Sequence, residues 1–355
     1  MRVEAMACAG SFLLFSRHLA ARLSTGPSVE DLVSALKSRL QSDPNGYSWV
    51  AIVDEPLYQA LMPHKHQPWA RALFPIAPRH PAFPLLCSKF SFVKLMPRYG
   101  LPVPRSKLCT TLAQTRTAGK RLGYPLVARG DYGFAGSAVR MVQGPEEMAQ
   151  AWRDLAGPMG MLLQRRVLAP TYAVQALYKR GRLISCFSSL KVLQWPEPNG
   201  PEACTCPCEP AGLQHYLRTF GKASGYHGLA ALEFFYDGER FLFFEINCRA
   251  GALLNHPHFS SGGFISAFQD FAGWSNHQRI AGPPLPNTAD NIYDFPDHLI
   301  RALEGHRREL WVWLPFSGHL KDFLWDEPWM LLRECLTVMK RALRLLKWRL
   351  FALPS

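Results

Sequence analysis

The chain has 355 residues, of which 48% are hydrophobic and 19% are charged. This length allows two or three subdomains with substantial cores and excludes a small domain that depends on disulfide bonds. Forty lysine and arginine residues against 27 acidic residues give a net charge of +13, which favours phosphate-bearing ligands, anionic membranes or nucleic acid without choosing among them.

The first part of the chain, residues 1–87, has the alternating pattern of an α/β domain. An apolar patch near the start is interrupted by Glu4 and Arg17, which does not fit a signal peptide, and no apolar run reaches 18 residues. We therefore expect a cytoplasmic protein without a membrane-spanning helix. The predicted elements are a helix Pro27–Leu40 capped by Ser28, a buried strand Ser48–Val53, a helix opened by Asp54 and a connector Pro63–Pro84.

The middle of the chain begins with a helix and continues mainly as short strands. The predicted elements are a helix Ser88–Tyr99 that ends at Gly100, strands Tyr124–Ala128 and Ala138–Val142 around a loop Gly130–Ser137, a helix Pro145–Trp152, and strands Met161–Val167, Tyr172–Tyr178 and Arg182–Phe187. The loop is rich in small residues, and Arg129 closes the strand before it. A P-loop opens a helix, whereas this loop joins two strands. Its amides would cover phosphates as a flap, with Arg129 supplying positive charge.

The cysteines are scattered along the chain and number nine, an odd count. This usage predicts reduced thiols in a cytosolic protein rather than a disulfide framework. Cys204, Cys206 and Cys208 form a C-x-C-x-C group, which lacks the C-x₂-C pairs of structural zinc sites. We therefore expect no zinc there.

A hairpin is predicted from Leu229 to Arg249, because two aromatic and aliphatic runs flank Asp237-Gly238. A two-residue turn would place Glu233 and Glu245 on opposite faces. A three-residue turn with a bulge at Gly238 would place both on one face. We predict the bulged form.

A metal site follows from this geometry. Glu245, Asn247 and Arg249 alternate, so all three are predicted to share one strand face. Two carboxylates and an amide oxygen make an all-oxygen site for Mg²⁺, with Mn²⁺ as an alternative ion. Salt-bridged glutamates on a half-exposed hairpin remain the other interpretation.

In this order and spacing, the segments SKFSFVKLMPRYGLPVP, PLVARGDYGFAGSAV, LLQRRV and LEFFYDGERFLFFEINCR resemble the ATP-grasp superfamily. The likeness runs from Ser88 to about Gly273. It implies an α/β architecture, the α+β ATP-grasp fold, behind a shortened Rossmann-like domain. The implied parts are a pre-ATP-grasp domain 1–87, an N-lobe 88–160, a C-lobe 161–281, and a linker with a basic helical tail 282–355.

The resemblance also implies the roles of individual residues. The nucleotide would be held by Lys89, Arg129, Gly133, Gly136, Ser137, Gln164, Arg165, Val167 and Thr171. The metal would be held by Glu233, Glu245 and Asn247, while Arg249 and Lys191 would act on the transferred phosphoryl group. Three features depart from the family pattern: Arg129 replaces a lysine, Thr171 replaces a ribose-binding glutamate, and alanines replace two loop glycines.

The implied activity is that of a ligase which activates a carboxylate as an acyl phosphate and joins it to an amine or a thiol. Its partners would be ATP, a small-molecule or lipid-linked carboxylate, and the acceptor. The departures leave an alternative open, an ATP-binding module without turnover that has a regulatory or scaffold role. Nucleic acid is disfavoured because no recognisable module interleaves basic and aromatic residues.

The tail from Trp329 to Phe351 predicts a long basic amphipathic helix. Its apolar stripe consists of Leu332, Leu336, Met339, Leu343, Leu346 and Leu350. The stripe can pack on the body of the protein, on a partner, or on the anionic inner face of a membrane as a peripheral anchor. Co-sedimentation with anionic vesicles separates these: if the full chain and a chain ending near Asp326 partition identically at low salt, the membrane interpretation is wrong.

Overall fold

The structure is a computed structural model that describes residues 2–133, 138–194, 202–251, 263–273, 292–293 and 336. Its N-terminal part contains the parallel strands β1 (Glu4–Cys8) and β2 (Ala21–Thr25) and the helices α1 (Val29–Ser42), α2 (Glu55–Leu61) and α3 (Pro68–Arg71). Ser28 caps α1 in a reciprocal capping box, in which the Asp31 amide donates to Ser28 Oγ at 3.1 Å. The predictions of α1 and α2 are confirmed.

The prediction of a strand Ser48–Val53 is wrong, because these residues do not pair with any described strand. Its apolar residues serve packing instead of pairing. Trp49 packs edge-on against Phe268 and Phe271, with ring centroids 5.5 and 5.3 Å away. Ile52 is buried, whereas Val53 is 52% exposed. An apolar run alone therefore did not distinguish a strand from a buried connection.

A four-stranded antiparallel sheet with the order β3-β6-β4-β5 follows. Its strands are β3 (Ser106–Cys109), β4 (Leu126–Arg129), β5 (Val139–Val142) and β6 (Met161–Arg165), and it is preceded by α4 (Lys89–Leu95). Helices α5 (Leu112–Leu122) and α6 (Met148–Leu155) cover one face and form a core with Leu126, Ala128 and Leu163. Because side chains alternate along strands, Arg129 and Gln164 face the other way.

The small sheet extends past residue 160, where we placed the boundary between the lobes, because β6 pairs with β3 and β4. The division into lobes otherwise remains a prediction. The predicted helix at the start of this part is confirmed as α4, continued by a 3₁₀ turn Met96–Tyr99 and ended by Gly100 in the left-handed conformation.

The second sheet is larger, has six antiparallel strands and follows the order β11-β10-β7-β8-β9-β12. Its strands are β7 (Thr171–Lys179), β8 (Arg182–Gln194), β9 (Glu202–Pro207), β10 (Gly228–Tyr236), β11 (Phe241–Asn247) and β12 (Ile292–Tyr293). Helix α7 (Leu213–Ser224) and the N-terminal helices pack on one face, and α8 (Gly263–Phe271) packs near β8. Strand β8 is longer than predicted and carries Lys191.

The described part of the chain contains no helix long and apolar enough to cross a membrane. The cysteines in this part are free thiols. Burial raises the pKa of Cys87, Cys186 and Cys248 to about 12, so these three thiols are protonated at neutral pH. The predicted amphipathic helix of the tail falls outside the described residues, apart from Leu336.

Candidate functional site

The hairpin of β10 and β11 places Glu233 directly opposite Glu245. The prediction that both glutamates share one face is confirmed, but for a different reason than the one given. Tyr236 pairs with Phe241, so the turn has neither of the two lengths weighed from the sequence. The register instead shifts beside Glu233, in the middle of the hairpin.

The shift is a β-bulge in β11 at Phe244. Without it, Phe244 would lie opposite Glu233, and Glu245 would point to the other face. The carbonyl of Phe244 accepts a hydrogen bond from Arg129 Nη1 at 2.9 Å. The bulge therefore turns Glu245 to the face that carries Glu233. It also makes the Phe244 carbonyl an acceptor for Arg129 of the small sheet.

Two cations from outside the hairpin contact Glu245. Arg129 Nη2 donates to Oε2 at 2.8 Å, and Lys89 Nζ lies 3.4 Å from Oε1. Burial raises the pKa of Glu245, but Arg129 and Lys89 outweigh it, so the net shift is downward. Glu245 is thus held as a carboxylate between the two sheets.

A second buried ion-pair group surrounds Lys191. Its Nζ lies 2.8 Å from Glu233 Oε2 and 3.2 Å from Glu202 Oε2, and its side chain is 2% exposed. Burial lowers the pKa of Lys191, but the two carboxylates outweigh it and raise the pKa overall. Burial raises the pKa of Glu233, and the charges of Glu245 and Glu202 add to that rise against the opposing effect of Lys191.

Sequence reasoning missed Glu202. It stands at the start of β9, next to the cysteine-rich segment, and pairs across the sheet with Gln194. Its contact with Lys191 exists only because β8 continues to Gln194, beyond its predicted end at Phe187. No local pattern in the sequence indicates that continuation.

The start of α4 and the flap form the third part of the site. Lys89 Nζ donates to the Gly133 carbonyl at 2.9 Å, which brings the flap to the cation. Ser88, Lys89, Tyr132, Gly133 and Glu245 all line one pocket. Gly136 and Ser137, which were predicted to belong to the flap, lie outside the described residues.

The remaining predicted residues are distributed around this centre. Asn247 lies opposite Ala231, two residues beyond Glu245, and so shares the face of the glutamates. Arg249 does not join them: its Nη2 lies 3.7 Å from Glu55 Oε1, and its Nη1 donates to the Ala250 carbonyl at 3.0 Å. The assigned strand ends at Asn247, so the alternation that we extended to Arg249 stops there.

The predicted nucleotide-binding residues around β6 lie between the sheets or at the surface. Gln164 is buried on the face that carries Arg129, and its Nε2 donates to Ser106 Oγ at 3.1 Å. Arg165 is exposed, whereas Val167 and Thr171 are partly buried. Their contacts to a nucleotide remain predictions.

No model of a known protein family matches the chain. Two curated proteins are similar to it over more than half of its length. Formate-dependent phosphoribosylglycinamide formyltransferase of Azotobacter vinelandii is 26% identical over 222 residues, which cover 59% of this chain and 53% of that protein. N5-carboxyaminoimidazole ribonucleotide synthase of Synechococcus elongatus is 26% identical over 239 residues, which cover 62% of this chain and 57% of that protein. The chain therefore spans just over half the length of these relatives.

Among solved structures, the biotin carboxylase domain of Hydrogenobacter thermophilus 2-oxoglutarate carboxylase, in complex with MgADP, ADP and bicarbonate, is similar in fold. The TM-score is 0.57 at 15% identity, and the match covers 78% of this chain and 65% of that chain.

The chain belongs to the ATP-grasp superfamily. Its two sheets, with the hairpin at one edge of the larger sheet, form the ATP-grasp fold that the segment order implied. In this ATP-grasp chain, the residues from the small sheet and from α4 reach the hairpin of the large sheet, which is how the two sheets come to share one site.

The residues of this ATP-grasp site fit a divalent ion. The donor set would be the carboxylates of Glu233 and Glu245 and the amide oxygen of Asn247, all hard oxygen ligands. The two glutamate side chains are 22% and 21% exposed, so a ligand can reach them. Within the described ranges, no group of three histidine, cysteine, aspartate or glutamate residues is placed to hold a metal. Two carboxylates alone leave room for phosphate and water ligands, as Mg²⁺ prefers.

Proposed function

We propose that the chain is an ATP- and Mg²⁺-dependent ligase that activates a substrate carboxylate as an acyl phosphate and joins it to an amine or a thiol. The observation that carries the proposal is the bulged register that sets Glu233 opposite Glu245, with Lys89, Arg129 and Lys191 around them. A hairpin that served only packing would need neither carboxylate here, because each partly buried charge requires a cation to compensate it.

The chemistry follows from the charges of these residues. Bound Mg²⁺ would neutralise the phosphates and help to orient them. Lys89 and Arg129 would donate to phosphate oxygens, and the flap would exclude water from the reacting phosphorus. The γ-phosphorus of ATP would bond to a carboxylate oxygen of the substrate as its bond to ADP breaks. The amine or thiol would then attack the acyl carbon, lose its proton, and release inorganic phosphate.

Lys191 would keep Glu233 ionised and in place, since its ammonium group lies 2.8 Å from that carboxylate. Arg249 would take part only after leaving Glu55. The names of the two relatives favour formate and the carboxylation of an amine as starting points for a substrate screen. Bicarbonate is added because it accompanies MgADP in the biotin carboxylase structure.

The second candidate is an ATP-binding module without turnover. It is favoured by the engagement of Arg129, which is 4% exposed, bonds to both Phe244 and Glu245, and stands where the family resemblance implies a lysine. An Arg has a planar fork that fits two acceptors at once, unlike a lysine. Such a locked cation would bind phosphates poorly.

One experiment separates the two candidates. ADP release is measured with Mg·ATP, a pool of small carboxylates including formate and bicarbonate, and a pool of amines and thiols, with product mass read in parallel. The ligase proposal expects ADP release that depends on both pools. ATP binding by calorimetry without ADP release from any combination would support the non-catalytic module instead.

Arg129 provides a direct test of phosphate binding. Arg129→Lys should retain or raise ATP affinity, because a compact ammonium still reaches the phosphates. Arg129→Ala should weaken ATP binding by about 2 kcal/mol, the scale of a charge-assisted hydrogen bond. Calorimetric titration with ATP measures both. Arg140→Ala, a half-exposed arginine on the neighbouring strand β5, is the matched control and should bind as the wild type does. Equal affinity in all four proteins would show that Arg129 is only a structural ion pair.

A further inference from the structure

A side chain of the flap is bonded to the first turn of α4. Asp131 Oδ1 accepts from the Phe90 amide at 2.9 Å and from Ser88 Oγ at 2.9 Å. Ser88 Oγ in turn accepts from the Ser91 amide at 3.0 Å. The flap residue therefore joins the cap of a helix that lies more than 40 residues earlier in the chain.

This arrangement satisfies groups that the helix cannot satisfy itself. The first amides of a helix have no partner within it, and its N-terminus is favourable for a carboxylate. Ser88 covers one of these amides and Asp131 covers another. Ser88 Oγ and the Phe90 amide both donate to Oδ1 of Asp131, which fixes the direction of its carboxylate.

The same helix turn and the same flap segment meet at a second point. Lys89, between the two donors, sends its Nζ to the Gly133 carbonyl at 2.9 Å. Asp131 and Gly133 are two residues apart on the flap. Ser88 is the cap residue of α4, and Lys89 and Phe90 are its first two residues. Three hydrogen bonds, donated by Ser88, Lys89 and Phe90, therefore hold the start of α4 against the base of the flap.

We propose that Asp131 is a positioning residue that holds the base of the flap, Asp131–Gly133, against the start of α4, so that Lys89 meets the phosphates in a fixed position. This role rests on the proposed binding of ATP. Asp131 does not itself contact phosphate, since its carboxylate would repel it; its negative charge is instead directed at the helix N-terminus.

The test compares ATP with adenosine, because only ATP carries phosphates. Calorimetry with Mg²⁺ is run on wild type, Asp131→Ala and Asp131→Asn, and the melting temperature of each is recorded. Asp131→Ala should weaken ATP binding about tenfold and leave adenosine binding unchanged. Asp131→Asn keeps an acceptor oxygen of the same shape and should stay within about threefold of wild type. Asp154→Ala, in α6 of the same part of the chain, is the control.

The affinities for ATP and adenosine separate a positioning role of Asp131 from a general structural defect and from failure of the proposed function. ATP affinity unchanged in Asp131→Ala overturns the proposal, and so does an equal loss for ATP and adenosine, which would mean a general structural defect. If Asp131→Ala does not fold, Ser88→Ala removes one donor to the same oxygen and should show the ATP-selective loss. Wild type that binds adenosine but binds ATP no better overturns the proposed function and this role with it. Strong ATP binding by wild type with no selective loss overturns this role alone.

Discussion

Glu245→Gln is expected to lower Mg·ATP-dependent ADP release at least about a hundredfold, and Asn247→Ala to do the same. Each substitution removes one proposed metal ligand. Gln keeps an oxygen that can accept from Arg129, so the buried arginine is not left without a partner and the fold should persist. ADP release at saturating ATP and several Mg²⁺ concentrations measures the effect.

The control for this pair is Glu239→Gln, which changes the same residue type in the exposed turn of the same hairpin. It should retain wild-type activity. Melting curves of all variants separate loss of chemistry from loss of fold. Activity above about a hundredth of wild type in both Glu245→Gln and Asn247→Ala would mean that the hairpin does not hold the metal.

Lys191→Met should lower the free energy of unfolding by about 3 kcal/mol, because it leaves Glu202 and Glu233 without their cation. The expected loss is at the lower end for a buried pair, since the Glu233 side chain is 22% exposed and part of its charge remains solvated. Urea unfolding at neutral pH measures it. Lys179→Met, at the exposed end of β7, is the matched control and should change stability little.

The loss should also depend on pH. Burial already raises the pKa of Glu233 in the wild type, with the charges of Glu245 and Glu202 adding to that shift. A carboxyl whose folded pKa lies above the unfolded value contributes stability that decreases as pH rises through that window. The destabilisation of Lys191→Met should therefore be smaller near pH 5 than near pH 7.5. A loss below about 1 kcal/mol at neutral pH would show that the two carboxylates are solvated or protonated without Lys191.

Much of the site could be predicted because its residues belong to one hairpin. The composition of the two runs and the Asp237-Gly238 pair predict paired strands, and strand alternation predicts that Asn247 follows Glu245 onto one face. The position of the bulge could not be predicted. Asp237 Oδ1 accepts from the amides of Glu239 and Arg240, which builds a longer turn than a two- or three-residue pattern suggests, and the register shift lies at Phe244 instead of in the turn.

Other parts of the site depend on contacts far apart in the sequence. Lys191 meets Glu202 only because β8 and β9 pair beyond the predicted end of β8. Asp131 meets Phe90 across 41 positions, and its charge gave no signal within a loop of small residues. The alternation of the strand predicted that Arg249 shares the face of Glu245. The strand ends before Arg249, whose guanidinium group lies beside the carboxylate of Glu55 in α2 instead.

The pair of Arg129 and Glu245 would couple the proposed binding of the metal ion to the binding of the nucleotide. Arg129 belongs to the small sheet and Glu245 to the large one, so their ion pair connects the two sheets. A metal ion that takes Oε2 of Glu245 would displace Arg129 and leave it with the Phe244 carbonyl as its acceptor. A nucleotide that takes Arg129 would leave Glu245 with Lys89 as its remaining cation. Under the proposed binding mode, the metal ion would replace the cation that Glu245 loses, and the phosphates would replace the anion that Arg129 loses. Binding of the two ligands would then be cooperative, each raising the affinity of the other by the same factor.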